Sequence, residues 1–154
     1  MFTSLAPPKL LVTGRHKHFI SAFGEHVIAS EVEQSLSEAA KKFNLSVSEF
    51  TVAPKMENGN KLPCHEWLIE FEELEINIKE FEKFLDAKIQ EKTIYYKDLI
   101  KGKVLKTLEV KKLEKGAFNR HMKSIGKLGG QNKVPRLSNN RDFVDGLLKI
   151  NSTF

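Results

Sequence analysis

Cysteine is nearly absent from this chain: Cys64 stands alone. No internal disulfide can form, and a reducing, cytoplasmic setting is the expectation. The thiol sits in "KLPCHEWL" with only His65 beside it, so it reads as a buried, incidental thiol and not as a nucleophile. Long apolar runs are missing too. None approaches the roughly 20 residues of a membrane helix, and the opening "MFTSLAPPKLLV" carries two prolines, one basic residue and no cleavable apolar core. The histidines (His16, His18, His26, His65 and His121) have no spacing with cysteine that fits a zinc site, and no metal site is expected. Internal repeats, low-complexity tracts and any Ser-His-Asp or Cys-His arrangement are likewise absent.

What remains is an ordinary globular composition, 40% hydrophobic and 29% charged over 154 residues, which is enough for one domain with its own core. The net charge of +5 is unevenly spread. Residues 101–136 hold eleven Lys or Arg against two acids, a net +9, which leaves −4 for the rest. Such a segment suits a polyanion: nucleic acid, an acidic protein surface or a nucleotide phosphate. On charge alone, a solvated lysine face is the simpler account.

The element pattern is α+β. "PKLLVTGRHKHFIS" predicts an N-terminal hairpin turning at Thr13-Gly14. "SEVEQSLSEAAKKFN" predicts a helix with a capping box at Ser30 and Glu33 and an apolar face of Val32, Leu36, Ala39 and Phe43. "VSEFTVAP" predicts a strand ended by Pro54, and "MENGNKLP" a loop turning at Asn58-Gly59. In "EWLIEFEE", Trp67, Ile69 and Phe71 face one side and Leu68, Glu70 and Glu72 the other. A second helix follows Asn77, with Ile78, Phe81, Leu85 and Ile89 on one face. "VLKTLEVKKL" predicts another strand. A short helix from about Ala117 is expected to end near Gly129-Gly130, with Phe118, Met122 and Ile125 inward, and "RDFVDGLLKI" a last amphipathic turn or two. After the hairpin the order is β-α-β-β-α-β, the split-βαβ arrangement with helices packed on one sheet and short C-terminal helices trailing. The fold by itself carries no function.

Two stretches are candidates for chemistry. In "TGRHKHFISAFGEHV", Arg15 and Lys17 alternate onto one face of an extended segment, and a guanidinium there suits phosphate or ribose hydroxyls. Gly24 permits a backbone that residues with a Cβ avoid. A basic hairpin tip is the plainer alternative. In "GKLGGQNKVPRL", a glycine-rich loop presents Lys127 and Lys133, a plausible phosphate ligand. It is not the GxxxxGK[ST] loop, since no Ser or Thr follows either lysine. A flexible connector between helices would look the same.

Together the two stretches resemble a known pattern. "TGRHKHFISAFGEHVIASEVE" resembles the hinge motif of the adenylate-forming enzymes: Gly-Arg-x-(Asp or Lys)-x-x-Ile, then Gly, then Glu on the next helix. "QNKVPRL" resembles the catalytic-lysine motif near the C-terminus of the same enzymes. The wording "HFISAFGE", "HEWLIEFE" and "GGQNKVPRL" is similar to one branch, the auxin-responsive Gretchen Hagen 3 family of acyl-acid–amido synthetases, in its bacterial form. The resemblance runs from about Phe2 to Leu148. It departs from many superfamily members at Gln131-Asn132, where they have Ser-Gly, and at Ala29, where they have proline.

The resemblance implies a ligase that uses ATP and Mg2+ to adenylate a carboxylic acid and passes the acyl group to an amine. Residues 1–154 would then be a single domain, the mobile C-terminal lid of a longer enzyme, with no cofactor of its own. Its partner would be an N-terminal adenylation domain holding most of the ATP and acyl-acid pocket. By the same resemblance, Arg15 falls at the nucleotide-contacting arginine, Lys17 at the hinge and Gly24 in the loop that reaches the active site in the second half-reaction. Glu31 falls at a structural glutamate and Lys133 at the catalytic lysine. The competing expectation is a basic nucleic-acid or protein-binding module. It explains the +9 segment but not the order of "GRHK" and "QNKVPR", and the interleaved surface aromatics that base stacking needs are lacking.

Overall fold

The computed structural model describes residues 19–152 and the backbone of two short strands before them, β1 (Phe2–Leu5) and β2 (Pro8–Leu10). The further elements are β3 (Phe19–Ile20), β4 (Val27–Ile28), α1 (Ala29–Phe43), β5 (Val47–Lys55), β6 (Cys64–Phe71), α2 (Ile78–Lys92), α3 (Ile94–Lys101), β7 (Glu109–Leu113), α4 (Ala117–Ser124) and α5 (Asp142–Asn151). The α+β class stands, as does an N-terminal hairpin, but the hairpin pairs differently from the expectation. Pro8–Leu10 is antiparallel to Phe2–Leu5, and Phe19–Ile20 is antiparallel to Val27–Ile28. The expected turn at Thr13-Gly14 lies outside the described residues.

The main sheet has three strands in the order β5-β6-β7. β5 and β6 form the antiparallel pair expected across the Asn58-Gly59 loop. β7 lies parallel to β6, with Trp67 opposite Val110. This corrects the split-βαβ expectation: α2 and α3 make one crossover between neighbouring parallel strands, as a parallel pair requires, while the strand before α1 stays in its own two-stranded piece.

Every residue of β6 is buried, on both faces of its alternation. The reason is that helices cover both faces. Trp67, Ile69 and Phe71 enter a core with α1 and α2 (Val32, Leu36, Phe81, Leu85, Ile89). Leu68 points the other way, into a second core with Leu113, Phe118, Val144 and Leu147. Glu66 and Glu70 are buried on this second side and are satisfied there. Glu66 meets the Arg141 guanidinium at 2.8 Å. Glu70 accepts from the Gly116 N–H at 2.7 Å, at the N-terminus of α4, where free amide groups favour an anion.

The helix ends explain where the loops begin. α1 starts at Ala29, and it is the Glu31 carboxylate that accepts the Ile28 N–H at 3.0 Å, in place of the expected Ser30–Glu33 box. α2 is capped by Asn77, whose side chain accepts the Glu80 N–H. α4 ends earlier than expected. Gly126 takes φ 68°, its N–H bonds to the Lys123 carbonyl, and the Lys127 N–H bonds to the Met122 carbonyl at 2.8 Å. That paired geometry is a Schellman stop. It leaves Ile125 half exposed and releases the chain into the Lys133 loop.

Candidate functional site

The Lys133 loop is free at its near end and pinned at its far end. Gly129 and Gly130 both have positive φ. Beyond Pro135 the chain runs along the outer edge of β5. The Thr51 hydroxyl donates to the Pro135 carbonyl at 2.6 Å, the Val52 N–H to the Arg136 carbonyl at 2.9 Å, and the Ser138 N–H to the Val52 carbonyl at 3.0 Å. Val52 and Leu137 thus form a single parallel bridge that covers the sheet edge. Arg136 adds a side-chain clamp, with its guanidinium 4.6 Å from the Phe50 ring centre and 3.6 Å from Glu49.

Lys133 itself is exposed and makes no hydrogen bond or ion pair among the described residues. It borders a groove of about 550 Å³ with Lys127, Asn119, Arg136, Glu33 and Glu49 among the lining residues. Arg136 answers the two carboxylates, at 3.6 Å from Glu49 and 3.9 Å from Glu33, so the two lysines present uncompensated charge to the groove. This suits an anion delivered from outside better than a ligand enclosed within.

Gly24 lies in the turn between β3 and β4, at φ 91°, with His26 also left-handed at φ 44°. Nothing lies within 4 Å of where a Gly24 Cβ would stand, so the glycine answers to the backbone and not to crowding. Between these two residues, Glu25 turns inward and is fully buried. One of its oxygens accepts the Phe23 N–H at 2.8 Å, and the other meets His65 Nε2 at 2.7 Å. Burial pushes the Glu25 carboxyl upward, but the His65 hydrogen bond and charge, with the backbone N–H groups, hold it below its ordinary value.

The His65 ring packs 5.2 Å from Tyr96, whose hydroxyl donates to Asp86 at 2.7 Å. Asp86 also accepts the Leu108 N–H at 3.0 Å and the Gln90 amide at 2.6 Å. Nothing local in the sequence around His65 marks it for this network. Its partners stand 40 residues apart, and no local pattern joins them.

The two candidate loops are tied together by Asn139. Its side chain accepts the Ser21 N–H at 2.8 Å and donates to the Phe19 carbonyl at 3.0 Å. The segment carrying Lys133 is thereby hydrogen-bonded to the strand leading into the Gly24 turn. Arg15 and Lys17 lie outside the described residues. Cys64 is buried, and burial pushes its thiol up to about 12, as expected of an inert thiol. Among the described residues, no group of His, Cys, Asp or Glu is placed to hold a metal ion, and no helix is long and apolar enough to cross a membrane.

No curated protein matches this chain. Two solved structures share the fold: "GH3.15 acyl acid amido synthetase", with TM-score 0.72 and 20% identity, and "AtGH3.15 acyl acid amido synthetase in complex with 2,4-DB", with TM-score 0.70 and 20% identity. Each match covers 92% of this chain but only 28% and 27% of the longer chains. The family model described as "GH3 family C-terminal domain" matches residues 30–142, a span that includes the three-stranded sheet and the Lys133 loop. The chain belongs to the GH3 family and corresponds to its C-terminal domain.

Proposed function

We propose that residues 1–154 form the mobile C-terminal lid of an acyl-acid–amido synthetase, a ligase that adenylates a carboxylic acid with ATP and transfers the acyl group to an amine, with an amino acid as the acceptor class. The observation that carries this reading is Lys133. In the segment 101–136, Lys106, Lys115, Arg120 and Arg136 are paired with acids. Lys133, like Lys127 beside it, has no acid partner among the described residues; it is exposed and raised on a loop whose far end is fixed to the sheet.

The chemistry gives such a lysine a task. When a carboxylate attacks the α-phosphate of ATP, negative charge gathers on the oxygens around phosphorus. A cation inserted there stabilises the transition state, and pyrophosphate leaves. An amine then attacks the acyl-adenylate carbonyl and AMP leaves. The lysine serves the first step and would obstruct the second, so a lid turning at Lys17 would withdraw it and bring the Gly24 turn to the site. Arg15 would contact the nucleotide. The Asn139 tie would make both loops travel as one body. An N-terminal adenylation domain would hold ATP, the acyl acid and the Mg2+ that accompanies the phosphates. The described residues offer no metal-ligand cluster. The setting that fits this enzyme is cytoplasmic.

The alternative of a basic nucleic-acid or protein-binding module leaves the order of "GRHK" and "QNKVPR" unexplained. Of the eleven basic residues in 101–136, Lys106, Lys115, Arg120 and Arg136 are paired with acids, and the others are spread over α3, β7, α4 and the loop. The test is pyrophosphate release with ATP and a panel of acyl acids, using this chain alone and joined to its large domain. Turnover is expected only from the joined protein. Robust turnover by the chain alone would overturn the lid assignment.

A further inference from the structure

The buried Glu25–His65 pair is not explained by stability alone. Taking a carboxylate and an imidazole out of water costs more than packing apolar side chains in the same volume. Here the pair sits at the edge of the largest core, with Glu25 fully buried and His65 2% exposed. It also sits beneath a turn whose strands are anchored at their base, by Asn139 and by the burial of Ile20 and Val27, and not at the tip. β3 and β4 contribute two residues each, too few to be stable unaided. The turn carries positive φ on both sides of Glu25, at Gly24 and at the non-glycine His26. A left-handed His26 costs about 1–2 kcal/mol and persists only where surrounding structure imposes it.

What imposes it is directional. Both Glu25 oxygens are used, one on the turn's own Phe23 N–H and one on His65. His65 stands at the start of the central strand β6, and its ring is backed by Tyr96 of α3. Tyr96 is in turn fixed by Asp86 of α2. An apolar contact would bury the turn without choosing its conformation, whereas two hydrogen bonds to one carboxylate fix both its depth and its twist.

We propose that Glu25 and His65 are positioning residues for the amide-forming half-reaction: they hold the Ser21–His26 turn, with Gly24 at its tip, in the shape presented to the acyl-adenylate. This rests on the lid reading above. Neither side chain touches substrate, and both act through the turn's backbone. Lys133 is held by a different set of contacts, the β5 edge and the Arg136 clamp. Loss of the Glu25–His65 pair therefore selects against one half-reaction.

The test measures both half-reactions in the full-length enzyme, with a melting curve for each variant. His65→Leu removes the donor, and His65→Gln keeps an N–H near the position of Nε2. In His65→Leu, amide formation from preformed acyl-adenylate is expected to fall about 10- to 100-fold, the loss typical of a group misplaced by about 1 Å. Adenylation should stay within about twofold, and His65→Gln should recover most of the loss. If His65→Leu does not fold, Glu25→Gln and His65→Gln carry the test, with smaller losses confined to the same step. Amide exchange at Phe23 gives a readout independent of activity and should quicken in step with the kinetic loss. Equal loss in both half-reactions, or no loss in a folded variant, would overturn the proposal. Failure of the underlying lid reading would show separately, as adenylation left intact by Lys133→Ala in the same enzyme.

Discussion

Gly146 shows how one atom can decide a position in this chain. It lies within α5, where replacing glycine by alanine ordinarily stabilises a helix by about 1 kcal/mol. A Cβ here would stand 2.7 Å from His121 Cε1. The imidazole cannot move aside, because it is buried and packed edge-on against Phe143 at 4.8 Å. Overpacking a rigid neighbour typically costs about 1–3 kcal/mol, so the clash outweighs the propensity gain. Gly146→Ala is expected to lower the denaturation midpoint, and restoring space with Gly146→Ala plus His121→Ala should recover part of it. A more stable Gly146→Ala protein would mean that α5 does not sit against α4 as described. The same burial holds the His121 imidazole below its ordinary pKa, so it packs as the neutral form.

Among the elements, α4 links core to site. Its N-terminus is fixed by Glu70, which reaches from the central strand to the Gly116 and Phe118 N–H groups. Its C-terminus is fixed by the Gly126 stop that launches the Lys133 loop. Removing a buried acceptor strands the donors it served, at about 1–3 kcal/mol. Glu70→Ala should therefore destabilise the chain by about that amount in urea unfolding, with Glu70→Gln intermediate. An Ala variant as stable as the parent would remove Glu70 from the capping role. Glu70 also marks a limit of legibility. The alternation in "EWLIEFEE" showed correctly which residues share a face, but not what covers the face of Leu68 and Glu70. Nothing within eight residues of strand signals that α4 and α5, from the far end of the chain, will cover it. α1 and α2 were legible from their own periodicity, and β5 from Pro54 and the loop after it, because those signals are local. α3 was missed: its eight residues follow α2 almost without a break and bury Tyr96 alone. The parallel pairing of β7 is a property of long-range docking that no segment carries by itself.

At the scale of the whole molecule, the fold does two things for function. It holds an exposed lysine, without an acid partner among the described residues, on a loop anchored to β5, and it locks a glycine turn through a buried carboxylate and imidazole. Asn139 joins the two. Gly24 and Lys133 could be singled out in the sequence because glycine clusters and an isolated lysine are local features, and their order matched a known motif. Glu25, His65 and Asn139 could not, since each acts through a partner far along the chain. The central claim is that Lys133 is the adenylation lysine of a lid that works with a larger domain. The most direct measurement takes the full-length enzyme with Lys133→Ala and times each half-reaction separately, adenylate formation from ATP and acyl acid, and amide formation from preformed acyl-adenylate. Loss of one transition-state donor of this kind costs about 10²-fold or more. The account predicts that loss in adenylate formation, with amide formation largely retained, whereas equal loss in both steps or full retention of the first would contradict it.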